Sequence, residues 1–210
     1  MKLLLIRHAE TADGNALRCH GWTDVPLSLR GHRQAQELAK LLATFPVDAI
    51  FCSDLRRSVQ TAEIVAARHD LTPRTLSAGR EINFGDLEGC LVDEIPLRFP
   101  ETFAAWNENP ATCHFPNGES FLEVKARVIP AVASIVADHA GKSVALVLHS
   151  GVNRVILGWA LGLPDAHIIR LDQDHACLNI VDFDARGPTL RLLNYAAWKY
   201  AASAEDDLFG

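Results

Sequence analysis

Short aliphatic runs alternate with amphipathic stretches along this 210-residue chain, and that alternation leaves few folds open. The runs at 2–6, 49–52 and 143–148 are apolar on successive residues, as expected of strands buried on both faces. Between the first two, Ser28 is placed to cap a helix over 28–43 whose stripe is Ala35, Leu38, Ala39 and Leu42. After the second, Ser53 reads as the N-cap of a helix to about 69, with Leu55, Val59, Ala62 and Ala66 inward. A strand running into a loop is expected at 75–84. Ser120 and Glu123 form a capping box opening a helix towards 139, with Pro130 inside it. A helix from 151 stops near Gly162-Leu163-Pro164, and strands are expected at 177–183 and 189–194. Strand and helix in turn predict a three-layer α/β/α sandwich around a mostly parallel sheet.

The stretch 89–118 breaks the rhythm. Pro96, Pro100, Pro110 and Pro116 punctuate it, and it reads as an insertion over one end of the sheet with short helical pieces at 95–98 and 101–106. The chain as a whole is expected to be one domain over 1–210, with a loose, acidic tail from 201.

Composition narrows the function. A net charge of −6 gives no broad positive field, so neither nucleic acid nor an anionic membrane is an expected partner. Five cysteines, an odd number without a C-x-x-C pair, point to a reducing compartment rather than a disulfide framework. The opening apolar run is too short for a signal-peptide core, and the expected location is the cytoplasm. Cys19-His20 and Cys113-His114 lack the second close pair a zinc site needs, so no metal and no cofactor is expected.

Ligands of such sheets bind beyond the carboxyl ends of the strands. Three strand ends here carry functional groups: Arg7-His8 after the first, Arg57 on the helical turn after the second, and His149 after 143–148. Glu81 lies in the less regular REINFGDLEG segment. Two arginines suit phosphate oxygens, and a neutral imidazole is a competent nucleophile. The combination points to phosphoryl transfer on a small-molecule phosphate monoester.

Four segments in order, LIRHAET, SDLRRSVQTAE, REINFGDLEG and VLHSGVNR, resemble the motifs of the histidine phosphatase superfamily, the phosphoglycerate mutase-like family. The resemblance spans nearly the whole chain. It implies that His8 is a nucleophile phosphorylated on Nε2, with its Nδ1–H held by a backbone carbonyl. Glu81 matches the proton donor. Arg7, Arg57 and His149 match the phosphate-pocket positions, Arg57 rather than Arg56 fitting the pattern S-x-L-x-R-[AS]-x-Q-T. The family commonly has an asparagine six residues after the nucleophile; this chain has Gly14 there, and Asn15 is the offset candidate.

Members of the family are mutases, phosphatases or inactive phosphate-binding modules. Retention of His8, Arg7, Arg57, Glu81 and His149 together speaks against the last. Arg98 and His114 are the only basic or imidazole side chains between 89 and 118, too few for a second phosphate, so a hydrolase is expected over a cofactor-dependent mutase. GESF…R, LDQDHACLNIVDFD and LRLLN resemble α-ribazole phosphatases of cobalamin assembly, and equally broad-specificity sugar phosphatases. Phe84, Trp106, Phe115 and Phe121, with Phe99 and Phe103 in the insertion, are the aromatic candidates to meet a nucleoside-like leaving group.

Overall fold

A computed structural model describes residues 1–13 and 17–201. Asn15 and most of the acidic tail lie outside them. Six strands form one sheet in the order β3-β2-β4-β1-β5-β6, where β1 is Lys2–Arg7, β2 Ala49–Cys52, β3 Arg74–Thr75, β4 Ser143–Leu148, β5 Leu178–Asp184 and β6 Gly187–Tyr195. The pairs β1–β4, β2–β4 and β2–β3 are parallel, and β5 and β6 add antiparallel at one edge.

Alternate residues of β1 enter two separate cores. Leu3 and Leu5 pack against α5 (Phe121–Asp138) and α6 (Ser150–Leu161), through Val124, Val128, Val132, Val152 and Ile156. Leu4 and Ile6 pack against α1 (Leu29–Leu42) and α2 (Arg56–Ala66), through Ala35, Leu38, Ala62 and Val65. That period-two split across a central strand makes the three layers. All six residues of β4 are buried, which explains why its sequence carries no polar alternation. Among the described residues, no helix is long and apolar enough to cross a membrane.

The helix ends follow their local chemistry. Ser28 Oγ accepts from the Gly31 N–H, and Ser120 and Glu123 close the expected capping box. α6 ends at Gly162, whose φ of 64° is the left-handed conformation that favours glycine. Two expectations need correction. α2 begins at Arg56 with Leu55 at its cap position and no side-chain cap, so Ser53 does not cap it. The strand expected to run into a loop over 75–84 is shorter than that: only Thr75 of it pairs, within β3, before Ser77–Gly79 turns as a 3-10 helix and the remainder is loop. The insertion carries α3 (Ile95–Arg98) and α4 (Pro100–Glu108), close to the expected pieces.

Candidate active site

The parallel register of β1 and β4 aligns Arg7 with Leu148, so the residues that follow, His8 and His149, emerge side by side. The His8 N–H donates to the Leu148 carbonyl at 2.9 Å, and the two imidazole centroids lie 5.1 Å apart. His8 Nδ1 sits 2.7 Å from the Ala9 carbonyl oxygen. A carbonyl can only accept, so Nδ1 carries the proton and Nε2 keeps its lone pair. Burial first, then the charges of Arg57 and Arg7 and the neighbouring imidazoles, hold the His8 pKa well below the ordinary histidine value. The ring is neutral, with an unprotonated Nε2.

Three neighbours are held so that each keeps one buried nitrogen without a partner among the described residues. Arg7 donates through Nη1 to the Gln173 carbonyl (2.5 Å) and through Nη2 to His175 Nε2 (2.9 Å). Arg57 donates through Nη1 to the Thr23 carbonyl and through Nη2 to those of His20 and Gly21. His149 meets Ser53 Oγ through Nε2 at 2.6 Å. What remains in each is a single buried nitrogen: Nε of Arg7, Nε of Arg57 and Nδ1 of His149. Burial lowers the Arg57 pKa to about 10, against the raising influence of Glu81 and Glu88, so the guanidinium stays charged at neutral pH.

Glu81 is buried against the start of α6. Its carboxylate accepts from the N–H groups of Ile82 (2.9 Å), Gly151 (3.0 Å) and Val152 (3.3 Å), the interaction a helix N-terminus offers an acid. Gly151 is required for this approach: a Cβ there would lie 2.6 Å from Glu81 Oε1. The irregular segment carrying Glu81 is gripped by Arg127, which donates to the carbonyls of Ala78, Arg80 and Glu81 and pairs with Glu119. Glu88 grips the facing loop, accepting from the N–H groups of Gly21, Trp22 and Thr23 and from the Thr23 hydroxyl.

Arg7, His8, Arg57 and Glu81 open into one cavity of about 480 Å³. His149 is fully buried beside His8 and is not among the residues that line it. The insertion forms an apolar wall with Val92, Ile95, Phe103, Trp106 and Phe115, joined by Phe84 and Phe121. Phe99 packs against the core instead. A polar part of the lining holds Arg154, Asp172, Gln173 and His175, with Arg18 also lining the cavity. Counting cations within 89–118 therefore misjudged the cavity: Arg98 pairs with Glu94 and is not part of it, while Arg18 and Arg154 come from elsewhere in the chain.

Sequence reasoning also missed His175, whose ring centroid is 5.8 Å from that of His8. Because Arg7 only donates, His175 Nε2 accepts and the ring is neutral, its pKa lowered to about 3 by burial and Arg7. The available signal was the polar DQDH run just before β5. Among the described residues, no group of three or more His, Cys, Asp or Glu side chains is arranged to hold a metal. His20 and His114 face the carboxylates of Asp13 and Glu123, at 2.7 and 3.3 Å.

A sequence model of the histidine phosphatase superfamily (branch 1) matches residues 3–196. Phosphoserine phosphatase 1 of Hydrogenobacter thermophilus is 31% identical over 194 residues, covering 92% of each chain. The adenosylcobalamin/α-ribazole phosphatase of Escherichia coli is 29% identical, covering 94% of this chain and 97% of its own. The crystal structure of the α-ribazole phosphatase from Shigella flexneri superposes with a TM-score of 0.85 at 29% identity, over 93% of this chain and 97% of that one. With the motifs, the sheet and the two facing imidazoles, these matches mean that the chain belongs to the histidine phosphatase superfamily and is a phosphatase.

Proposed function

We propose that His8 is the nucleophile, Glu81 the proton donor, and Arg7, Arg57 and His149 the phosphoryl-binding groups of a phosphomonoester hydrolase. One observation carries this: three buried nitrogens without partners among the described residues, from three different elements, belong to the residues around an imidazole whose Nε2 is free to attack. A phosphoryl group in its loose transition state has three equatorial oxygens, each able to take one of them. The Nε2–phosphorus bond forms as the ester P–O bond breaks, and Glu81 gives its proton to the departing alkoxide. Water then attacks phosphohistidine, Glu81 takes the proton back, and inorganic phosphate leaves. The arginines supply the charge neutralisation that phosphoryl-transfer enzymes otherwise draw from a metal. Asn15 stays a candidate fourth ligand.

For the leaving group we infer a nucleoside-like alcohol, with α-ribazole 5′-phosphate as the first candidate. The apolar wall of Phe84, Phe103 and Trp106 beside a polar wall supports it, as do the related α-ribazole phosphatases. We also place the protein in the cytoplasm as one domain: all five cysteines are buried and free, as suits a reducing compartment. Rapid quenching with 32P-labelled substrate is expected to trap a base-stable, acid-labile adduct on His8, and His8→Ala to lose both adduct and turnover. Wild-type turnover by His8→Ala rejects the mechanism. A higher kcat/KM on 3-phosphoglycerate than on α-ribazole 5′-phosphate rejects the substrate alone.

A further inference from the structure

Ser53 looks like a helix cap in the sequence and is not one in the fold. β2 pairs with β4 so that Cys52 faces Val147, which sets Ser53 one step short of His149. Both side chains are fully buried, and Ser53 Oγ lies 2.6 Å from His149 Nε2. Ser53 is fixed independently: its N–H donates to Ser58 Oγ at 3.1 Å, and the Ser58 hydroxyl donates to the Val147 carbonyl at 2.6 Å.

The direction of the Ser53–His149 bond follows from counting protons. Among the described residues, two groups approach Ser53 Oγ: the Leu55 N–H, at 3.4 Å, and His149 Nε2. The N–H is a donor and cannot accept, so Nε2 is the acceptor within reach of the serine proton. With the hydroxyl donating to Nε2, the ring proton belongs on Nδ1, and one buried group, that Nδ1–H, has no protein partner. With the proton on Nε2 instead, both the serine hydroxyl and the bare Nδ1 would be buried and unmatched. Burying an unmatched polar group is costly, so the first arrangement wins.

We infer that Ser53 is a positioning residue that fixes His149 as the Nδ1–H tautomer, making it a neutral, one-proton donor to the phosphoryl group. This rests on the reading of His149 as a phosphoryl-binding group. Burial, with Arg57, Arg7 and Arg127, holds the His149 pKa well below the ordinary value, so the ring cannot donate from both nitrogens as an imidazolium would. Tautomer, not charge, then decides whether it can donate at all. A hydroxyl thus does for His149 what the Ala9 carbonyl does for His8, with opposite sense: one leaves a lone pair facing the substrate, the other a proton.

The test is a long-range 1H–15N correlation spectrum of the ligand-free, 15N-labelled protein, with His149 assigned by its loss in His149→Gln. A pyrrole-type Nδ1 and a pyridine-type Nε2 are expected. The reverse pattern overturns the proposal in the wild-type protein, without reliance on any variant folding. In Ser53→Ala the His149 signals should move towards a tautomer mixture, and kcat/KM fall roughly tenfold, the scale of one buried hydrogen bond; Ser53→Thr should restore both. Full activity with an unchanged tautomer in Ser53→Ala also overturns it. Failure of the phosphohistidine reading is separate, since it appears as no adduct on His8 whatever the tautomer of His149.

Discussion

The floor and the roof of the cavity are built by opposite rules. His8, Arg57 and Glu81 on the floor, and His149 beside His8, are at most 7% exposed, and every one is tied to backbone or side chain by directional hydrogen bonds. The roof helices α3 and α4 contain no buried residue and no side-chain cap, and Phe103 is 39% exposed. Trp106 is held by ring contacts to Phe115 and Phe121, each with centroids 5.8 Å apart. Directional bonds in a buried site fix donors in advance of the substrate, which is what stabilising a developing phosphoryl charge needs. Non-directional aromatic contacts at a half-exposed surface tolerate adjustment, which suits selection among leaving groups. On the proposed reading, the same cavity combines one fixed chemistry with one adaptable preference.

The largest effect should come from the floor. Glu81→Gln keeps the shape and removes the proton, so hydrolysis of alkyl phosphates should fall roughly 10²–10⁴-fold. Para-nitrophenyl phosphate has a leaving group that needs little protonation, and its loss should be much smaller. Steady-state kinetics on both substrates decides. Equal losses would assign Glu81 to holding the start of α6, where its carboxylate already accepts from Gly151 and Val152.

The buried imidazoles around the site should also make the fold sensitive to acid. His8 and His149 have pKa values well below the ordinary value, and His175 is lowered to about 3, burial leading in each case. Above about pH 6.5 these rings are neutral in both folded and unfolded chains, so they cost nothing there. As pH falls below 6.5, the unfolded chain binds protons that the folded one refuses, and stability drops. Between pH 7.5 and 5.5 all three rings should act in the same direction, so stability should fall as the pH is lowered. Urea melts at the two pH values check this. Equal stabilities would mean that the folded protein protonates these rings, and that the floor is wetter than its burial implies.

The floor was largely legible in the sequence because parallel strands bring their carboxyl ends to one edge, and Arg7-His8 and His149 follow such ends directly. The rule broke where its premise did. β5 runs antiparallel to β1, so it is the start of β5, with Gln173 and His175 before it, that reaches the site and holds Arg7. Nothing local in DQDH distinguishes that from a surface turn. Ser53 misled for a related reason: a serine before a helical stripe is a good cap locally, but the β2–β4 register gives its hydroxyl a buried imidazole instead. Of the aromatic candidates all but Phe99 line the cavity, while Arg18 and Arg154 were missed because proximity in sequence to the insertion is not proximity in space. Long-range register, then, is what residue patterns alone convey least.

The smallest effect belongs to the roof, and it separates the two regions most cleanly. Trp106 lines the cavity, half-buried, and makes ring contacts to Phe115 and Phe121 but no hydrogen bond to the floor. Stacking of a base on an aromatic ring is worth about 1–3 kcal/mol by substitution. Trp106→Ala should therefore lower kcat/KM on α-ribazole 5′-phosphate by roughly five- to a hundredfold. Turnover of para-nitrophenyl phosphate, too small to depend on the whole wall, should change far less, because the hydrogen bonds that position His8, Arg57 and Glu81 do not involve Trp106. Kinetics on the two substrates, with a melt to show that the variant is folded, measures the split. If both substrates lose equally, Trp106 supports the floor through Phe121, whose Cε1 lies 3.1 Å from where a Gly151 Cβ would be, beside Glu81. Roof and floor would then be one mechanical unit, and selectivity would have to be sought on the polar wall, at Arg154 and Asp172.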